Sequence, residues 1–177
     1  LLVVAWLSFE RYQQASLSQQ NLAKIAALME LISQSSHLLT ALQNERDYSF
    51  GFVNSKKARY GSEMTTARGK TDQQIIRFKQ AIAERPELTE LNSINNKLKV
   101  ILNSFDELKD VRSEGVDQLT NKLSNGKYTF RTYKDRNTKI IHLVEEIIAF
   151  ADDKELSNKA TVLHAQMMVK DIYSEMR

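Results

Sequence analysis

The stretch LNSINNKLKVILNSFDELKDVRSEGVDQL, residues 91–119, decides the fold class. Every seventh residue gives Leu91, Leu98, Phe105, Arg112 and Leu119, and the partner row gives Ile94, Ile101, Leu108 and Gly115. Apolar rows at this spacing form the seam of a helix packed lengthwise on other helices. One slot of the seam holds a guanidinium, and a glycine one turn later leaves room beside it. The first apolar segment repeats the pattern: Ile25, Ile32, Leu39 and then Arg46, beside Leu28, Ser35, Leu42 and then Ser49. In the second, Arg68 precedes Ile75 and Ile82, with Thr71 and Phe78 in the other row. At the chain's end Leu156, Leu163, Lys170 and Arg177 run beside Ala160, Met167 and Ser174.

A charge taken out of water is costly unless it is paired. Arginines at seam positions of four different helices therefore point to a buried anion. A blander reading stands beside this one. Long basic side chains snorkel from flanking positions and pair with carboxylates on the next helix, and Glu45, Asp47, Asp72, Asp117 and Glu175 are available for that.

Composition narrows the class. The chain has 177 residues, enough for one domain, with 42% apolar content. One proline and five glycines leave long helices uninterrupted, and strand-type alternation is absent. The expected fold is an all-α, antiparallel up-and-down bundle of long helices, continued beyond the chain end. With no cysteine there is no disulfide framework, zinc-finger spacing or catalytic thiol. The net charge of +3 is mild, and no basic block with interleaved aromatics supports nucleic-acid binding.

Leu1 to Phe9 is apolar and stops at Glu10-Arg11-Tyr12. It is shorter than the ~20 residues a membrane span needs, so residues 1–9 are expected to be the end of a transmembrane helix. Residues 10–177 then form the helical domain. Trp6 and Tyr12 suit the aromatic belt at a membrane surface. The alternative is a buried or dimer-forming helix start. Leu17, Leu22 and Ile25 lie below the reach of the other helices and predict a parallel homodimer through helix 1.

Helices are expected at about 8–56, 62–84, 86–123, 129–151 and 154 to the end, with a turn at Ser124-Asn125-Gly126 and a break at Asp152-Asp153. Short connections make consecutive helices antiparallel neighbours. At ~1.5 Å per residue, Arg46, Arg68, Arg112 and Asn137 then converge on one layer in the half of the bundle distal from Leu1. Arg177 approaches the same layer from the last helix. Guanidinium is planar and forked, so it meets planar oxyanions with paired hydrogen bonds. Nitrate, nitrite, carboxylates and phosphates all qualify. Carboxylates such as Glu45 or Asp117 must offset part of the cationic charge. Hydroxyls at Ser49, Thr71 and Ser174 either add donors or bond back within their helices. If cations crowd the empty site, removing Arg46 or Arg112 costs the ligand-free fold little.

Other chemistry is unsupported. His37, His142 and His164 have no partners at metal-ligand spacing, and no phosphate loop, nucleophile elbow or paired acid–base motif occurs. The five methionines read as packing. No metal, cofactor or catalysis is expected.

One family matches these residues. Ala41-Leu42-Gln43-Asn44-Glu45-Arg46, with Ser49-Phe50-Gly51-Phe52 and Ser55, resembles the opening signature of the NIT domain, the bacterial nitrate- and nitrite-sensing domain. Arg68, Thr71-Asp72 resembles its second signature. Leu108 to Asp117 is similar to its third, Thr138 to Ile141 to its fourth, and Lys170 to Arg177 to a last KE-to-ER element. Asp47 stands where the family carries glycine, Asn137 where it carries tyrosine and Asp171 where it carries glutamate, while Met176 intervenes before Arg177. Departures of this kind are expected to alter ligand preference, and the extra carboxylate at Asp47 is expected to lower anion affinity. The resemblance implies a helical sensor coupled to an output such as a chemotaxis module, cyclase, kinase or antiterminator. Ligand-binding roles carry over by motif to Arg46, Arg112 and Arg177, with Arg68 and Ser49 beside them. The N-terminus then implies a membrane receptor of the bacterial inner membrane with its sensor in the periplasm. A structural bundle with no ligand, or a sensor of another small oxyanion or carboxylate, is the alternative.

Overall fold

The computed structural model describes residues 2–117, 126–150 and 154–175. Leu119, the central residues of the 124–126 turn, the break at 152–153 and Arg177 lie outside the described residues. Within them the fold is five α-helices with no strand. It is an all-α helical bundle.

Helix α1, Leu2–Asn54, is the spine. No proline interrupts it, and it starts earlier than residue 8. From Ala27 onward one stripe is buried, through Leu28, Leu31, Leu38, Leu39 and Leu42. Each such side chain removed from water stabilises the fold by about 1.5–3 kcal/mol. Ile25, expected to lie below the reach of the other helices, is partly buried against this core; before it α1 protrudes, and Tyr12, Leu17 and Leu22 are exposed.

The chain reverses through a compact turn. Ser55 Oγ donates to the Phe52 carbonyl at 3.0 Å and accepts from the Arg59 amide at 3.1 Å. Lys56, Lys57 and Tyr60 take left-handed backbone angles. Such a conformation is unusual for a bulky residue, and Tyr60 is held there by packing. Its ring lies over Gly51, where a Cβ would come within 2.7 Å of the ring, and 6.3 Å from the Tyr48 ring.

Helix α2, Gly61–Ala83, returns along α1. The expected helix from Pro86 does not form directly. Pro86–Leu88 is a separate 3-10 turn, Leu91 is extended, and α3 spans Asn92–Asp110. Thr89 explains the break, because its hydroxyl donates to the Pro86 carbonyl at 2.6 Å and closes the turn. Helix α3 then runs into a π-helix, Val111–Asp117, that the heptad pattern did not anticipate. Such segments are rare and recur at functional sites. Arg112 sits in it.

Helix α4, Gly126–Phe150, lies against α1, α3 and α5, and α5, Lys154–Glu175, packs on α1 and α4. Helices α2 and α3 meet through an edge-on pair of rings, Phe78 and Phe105, with centroids 6.3 Å apart. The core therefore runs between α1 and α4, lined by Ile140, Ile141, Val144 and Ile147 on the α4 side.

Two helical glycines test this packing. Nothing lies within 4 Å of a Cβ built at Gly69, whereas one at Gly51 meets the Tyr60 ring. In thermal melts Gly69→Ala should gain about 0.5–1 kcal/mol from helix propensity. Gly51→Ala should be the less stable of the two by about 1–3 kcal/mol, from overpacking.

Candidate functional site

Arg46 occupies a core position of α1, in line with Leu39, Leu42 and Val53, and its side chain is fully buried. Its Nε donates to Asp47 Oδ1 at 3.0 Å. Its guanidinium carbon lies 4.6 Å over the centre of the Phe130 ring of α4, a favourable cation–π arrangement. Phe130 is held edge-on by Phe50, with centroids 5.7 Å apart.

The neighbouring Glu45 is equally buried and is the hub of the layer. Arg112 grips it bidentately, Nε to Oε1 at 2.7 Å and Nη2 to Oε2 at 2.8 Å. The Tyr133 hydroxyl of α4 donates to the same Oε1 at 2.6 Å. Arg112 Nη1 reaches Asp72 Oδ1 on α2 at 2.8 Å, and Arg68 Nη2 donates to the Arg112 carbonyl at 3.4 Å. Residues of α1, α2, the π-helix and α4 thus meet in one layer.

The proton affinities follow from this geometry. Burial alone pulls the Arg112 pKa down, but Glu45 and Asp72 outweigh it and hold it above its usual value. The Tyr133 phenol is pushed up, first by burial and then by the Glu45 charge. Tyr133 is therefore a hydrogen-bond donor at any physiological pH.

The hydroxyls divide. Thr71 Oγ1 donates to the Ala67 carbonyl at 3.1 Å and is used up within α2. Ser49 Oγ lies near the Tyr133 phenol and weakly opposes its shift, yet makes no hydrogen bond of good geometry. Thr129 Oγ1, one turn before Tyr133 on α4, is buried without a hydrogen-bond partner.

Arg68 and Arg112 are in contact, Ser49 lies by the Tyr133 phenol, and Arg46 follows Glu45 on α1 with its guanidinium over Phe130 of α4; Arg177 lies outside the described residues. Sequence reasoning missed Tyr133, Thr129 and Arg136. Extending the α4 stripe Ile140–Val144–Ile147 back by one turn reaches Arg136 and by two turns Tyr133, which is the signal that was there. Arg136 is fully buried and bonded to the Ser104 and Thr132 carbonyls at 3.0 and 2.8 Å and to Glu107 at 3.2 Å. His164 is not without a carboxylate, since its Nε2 lies 3.0 Å from Glu145 Oε1 across α4 and α5. No metal-binding cluster of His, Cys, Asp or Glu occurs among the described residues.

Over residues 37–177 the chain matches the family described as nitrate and nitrite sensing, NIT. The chain belongs to the NIT family. Comparison with curated proteins and with solved structures gave no match. As a NIT domain it is a sensor of nitrate or nitrite in signalling. Its signature residues Glu45, Arg46, Ser49 and Gly51 fall on the buried layer and beneath Tyr60. Arg112 is not a crowded cation, because it pairs with Glu45 and Asp72, so its removal is now expected to cost the ligand-free fold stability.

Removing the hub tests the layer. Glu45→Ala removes the two-bond fork of the partly buried Arg112 and leaves the Tyr133 hydroxyl without its acceptor, and should cost about 3–5 kcal/mol in urea unfolding. Tyr133 adds a pH dependence. Its native phenol ionises above the unfolded value of about 10, so its contribution is complete below that pH. It is lost as pH rises, because the unfolded chain releases the proton first. Tyr133→Phe should show a shallower alkaline loss of stability than the parent, read from unfolding curves across that range.

Proposed function

We propose that this NIT domain binds nitrate or nitrite at the layer of Arg46, Arg68 and Arg112, with Ser49 and Thr129 as added donors. Arg177 joins this assignment on its family motif alone. The carrying observation is the fully buried Arg46 guanidinium in a layer that also holds two buried hydroxyls, Ser49 and Thr129, without good hydrogen bonds. Buried polar groups are nearly always bonded, and a trigonal oxyanion offers three acceptors to them. A guanidinium fork matches two of its oxygens in one plane.

The chain then serves as the extracytoplasmic sensor of a bacterial receptor, in the periplasm and anchored in the inner membrane. Helix α1 supports this reading. It carries Glu45, Arg46 and Ser49 at the layer and continues unbroken to Leu2, so a shift at the site moves one rod. It is long and apolar enough to cross a membrane by length and composition, although half of its apolar window is buried in the bundle. Trp6, Phe9, Leu17 and Leu22 are exposed on its protruding part, which suits a membrane surface and then a parallel homodimer.

A second reading, a structural bundle without ligand, draws on the Arg112–Glu45–Asp72 pairing. A thermal-shift screen over nitrate, nitrite, chloride, sulfate and small carboxylates separates the two. Nitrate or nitrite should raise the melting temperature of the parent. By calorimetric titration Arg46→Ala should weaken binding about tenfold to a hundredfold, the loss of one or two charge-assisted bonds. An unshifted melting temperature, or unchanged affinity in Arg46→Ala, would leave the structural reading in place.

A further inference from the structure

Among the described residues the layer is close to neutral before any ligand arrives. Three guanidinium groups, Arg46, Arg68 and Arg112, stand with three carboxylates, Glu45, Asp47 and Asp72. An incoming anion therefore has to displace negative charge already present. The three carboxylates are not equivalent in their freedom to leave. Glu45 is fully buried and accepts three hydrogen bonds. Asp72, about half exposed at 54%, holds an outer edge of Arg112 and ties α2 to the π-helix. Asp47 is also about half exposed, at 48%, and bonds to Arg46 Nε.

That bond is local and easily broken. Successive helical side chains point about 100° apart and do not face each other, so Asp47 reaches sideways from the rim to touch a guanidinium that points into the core. No neighbouring helix fixes it there by a bond of its own. Swinging out returns the half-exposed Asp47 carboxylate to water, while the oxyanion takes over its bond to the fully buried guanidinium. The Nε it occupies is one of the donors that a forked oxyanion contact would use.

We infer that Asp47 is a tethered competitor at the anion site: its carboxylate occupies Arg46 Nε in the ligand-free protein, yields it to the oxyanion on binding, and so sets the concentration at which the sensor responds. The inference rests on the nitrate reading above and adds the residue that sets affinity. A tethered carboxylate competes at high effective concentration, and its charge also repels an approaching anion.

The test is calorimetric titration of nitrate into the parent, Asp47→Asn, Asp47→Ala and Glu63→Gln. Glu63 is an exposed carboxylate of α2 on the outer α1–α2 groove, so its loss controls for general charge. Both Asp47 variants should bind nitrate about three- to tenfold more tightly than the parent, as removal of a weak competing pair and its charge implies. Glu63→Gln should match the parent, and melting curves should show all four chains folded. Nitrate binding by the Asp47 variants but not by the parent is the same result in stronger form. If the parent binds and the Asp47 variants bind equally or less tightly, the inference fails while the nitrate reading stands. Equal tightening in Glu63→Gln also overturns it, as a general charge effect. Absence of binding in all four chains overturns both.

Discussion

Burying Glu45 completely inside a helical bundle imposes a condition on everything around it, because an ionised carboxylate away from water costs several kcal/mol unless its oxygens are fully bonded. Arg112 meets that condition with a two-bond fork and Tyr133 with a third bond. To meet it, the π-helix must present Arg112 inward, α4 must present Tyr133, and α2 must bring Asp72 to the remaining edge of the guanidinium. Four elements are registered against one another by a single carboxylate. A shift of α1 at this level would strain bonds to the other three elements at once.

Two buried arginines show how the same side chain serves different ends. Arg136 is held by two main-chain carbonyls and Glu107, so its charge is answered by groups of the fold itself. It acts as a rivet between α3 and α4. The partners of Arg46 include an aromatic face and Asp47 at the rim. An aromatic face attracts a cation without accepting a conventional hydrogen bond from its donors, and a rim carboxylate is shared with water. Burial alone does not distinguish the two residues; the identity of the partners does.

The glycine positions follow the same logic. Gly51 lies under the Tyr60 ring at the far end of the bundle, a turn and a half from Arg46, and any side chain there presses on that ring. The turn is thereby fixed close to the layer, with α1 and α2 held in register where Arg68 and Asp72 enter it. Gly69 faces open space and carries no such constraint.

The heptad rows were enough to determine an all-helical bundle, the polar seam positions Arg46, Arg68, Arg112 and Ser49, and through the motifs around them the NIT family. They suffice because helical periodicity and backbone propensity are local, and because a charged residue in an apolar row is visible without knowing its neighbours. The proline signal at Pro86 misplaced the start of α3, where Thr89 closes a turn, and the rows did not reveal the π-helix around Arg112. They also left open whether each arginine meets a ligand or a carboxylate. Only the tertiary structure decided that Glu45 binds Arg112, that Tyr133 joins them, and that Arg136 is tied to α3. Partner choice depends on which side chains are brought within about 3 Å across different helices, and no periodicity along one helix encodes that distance.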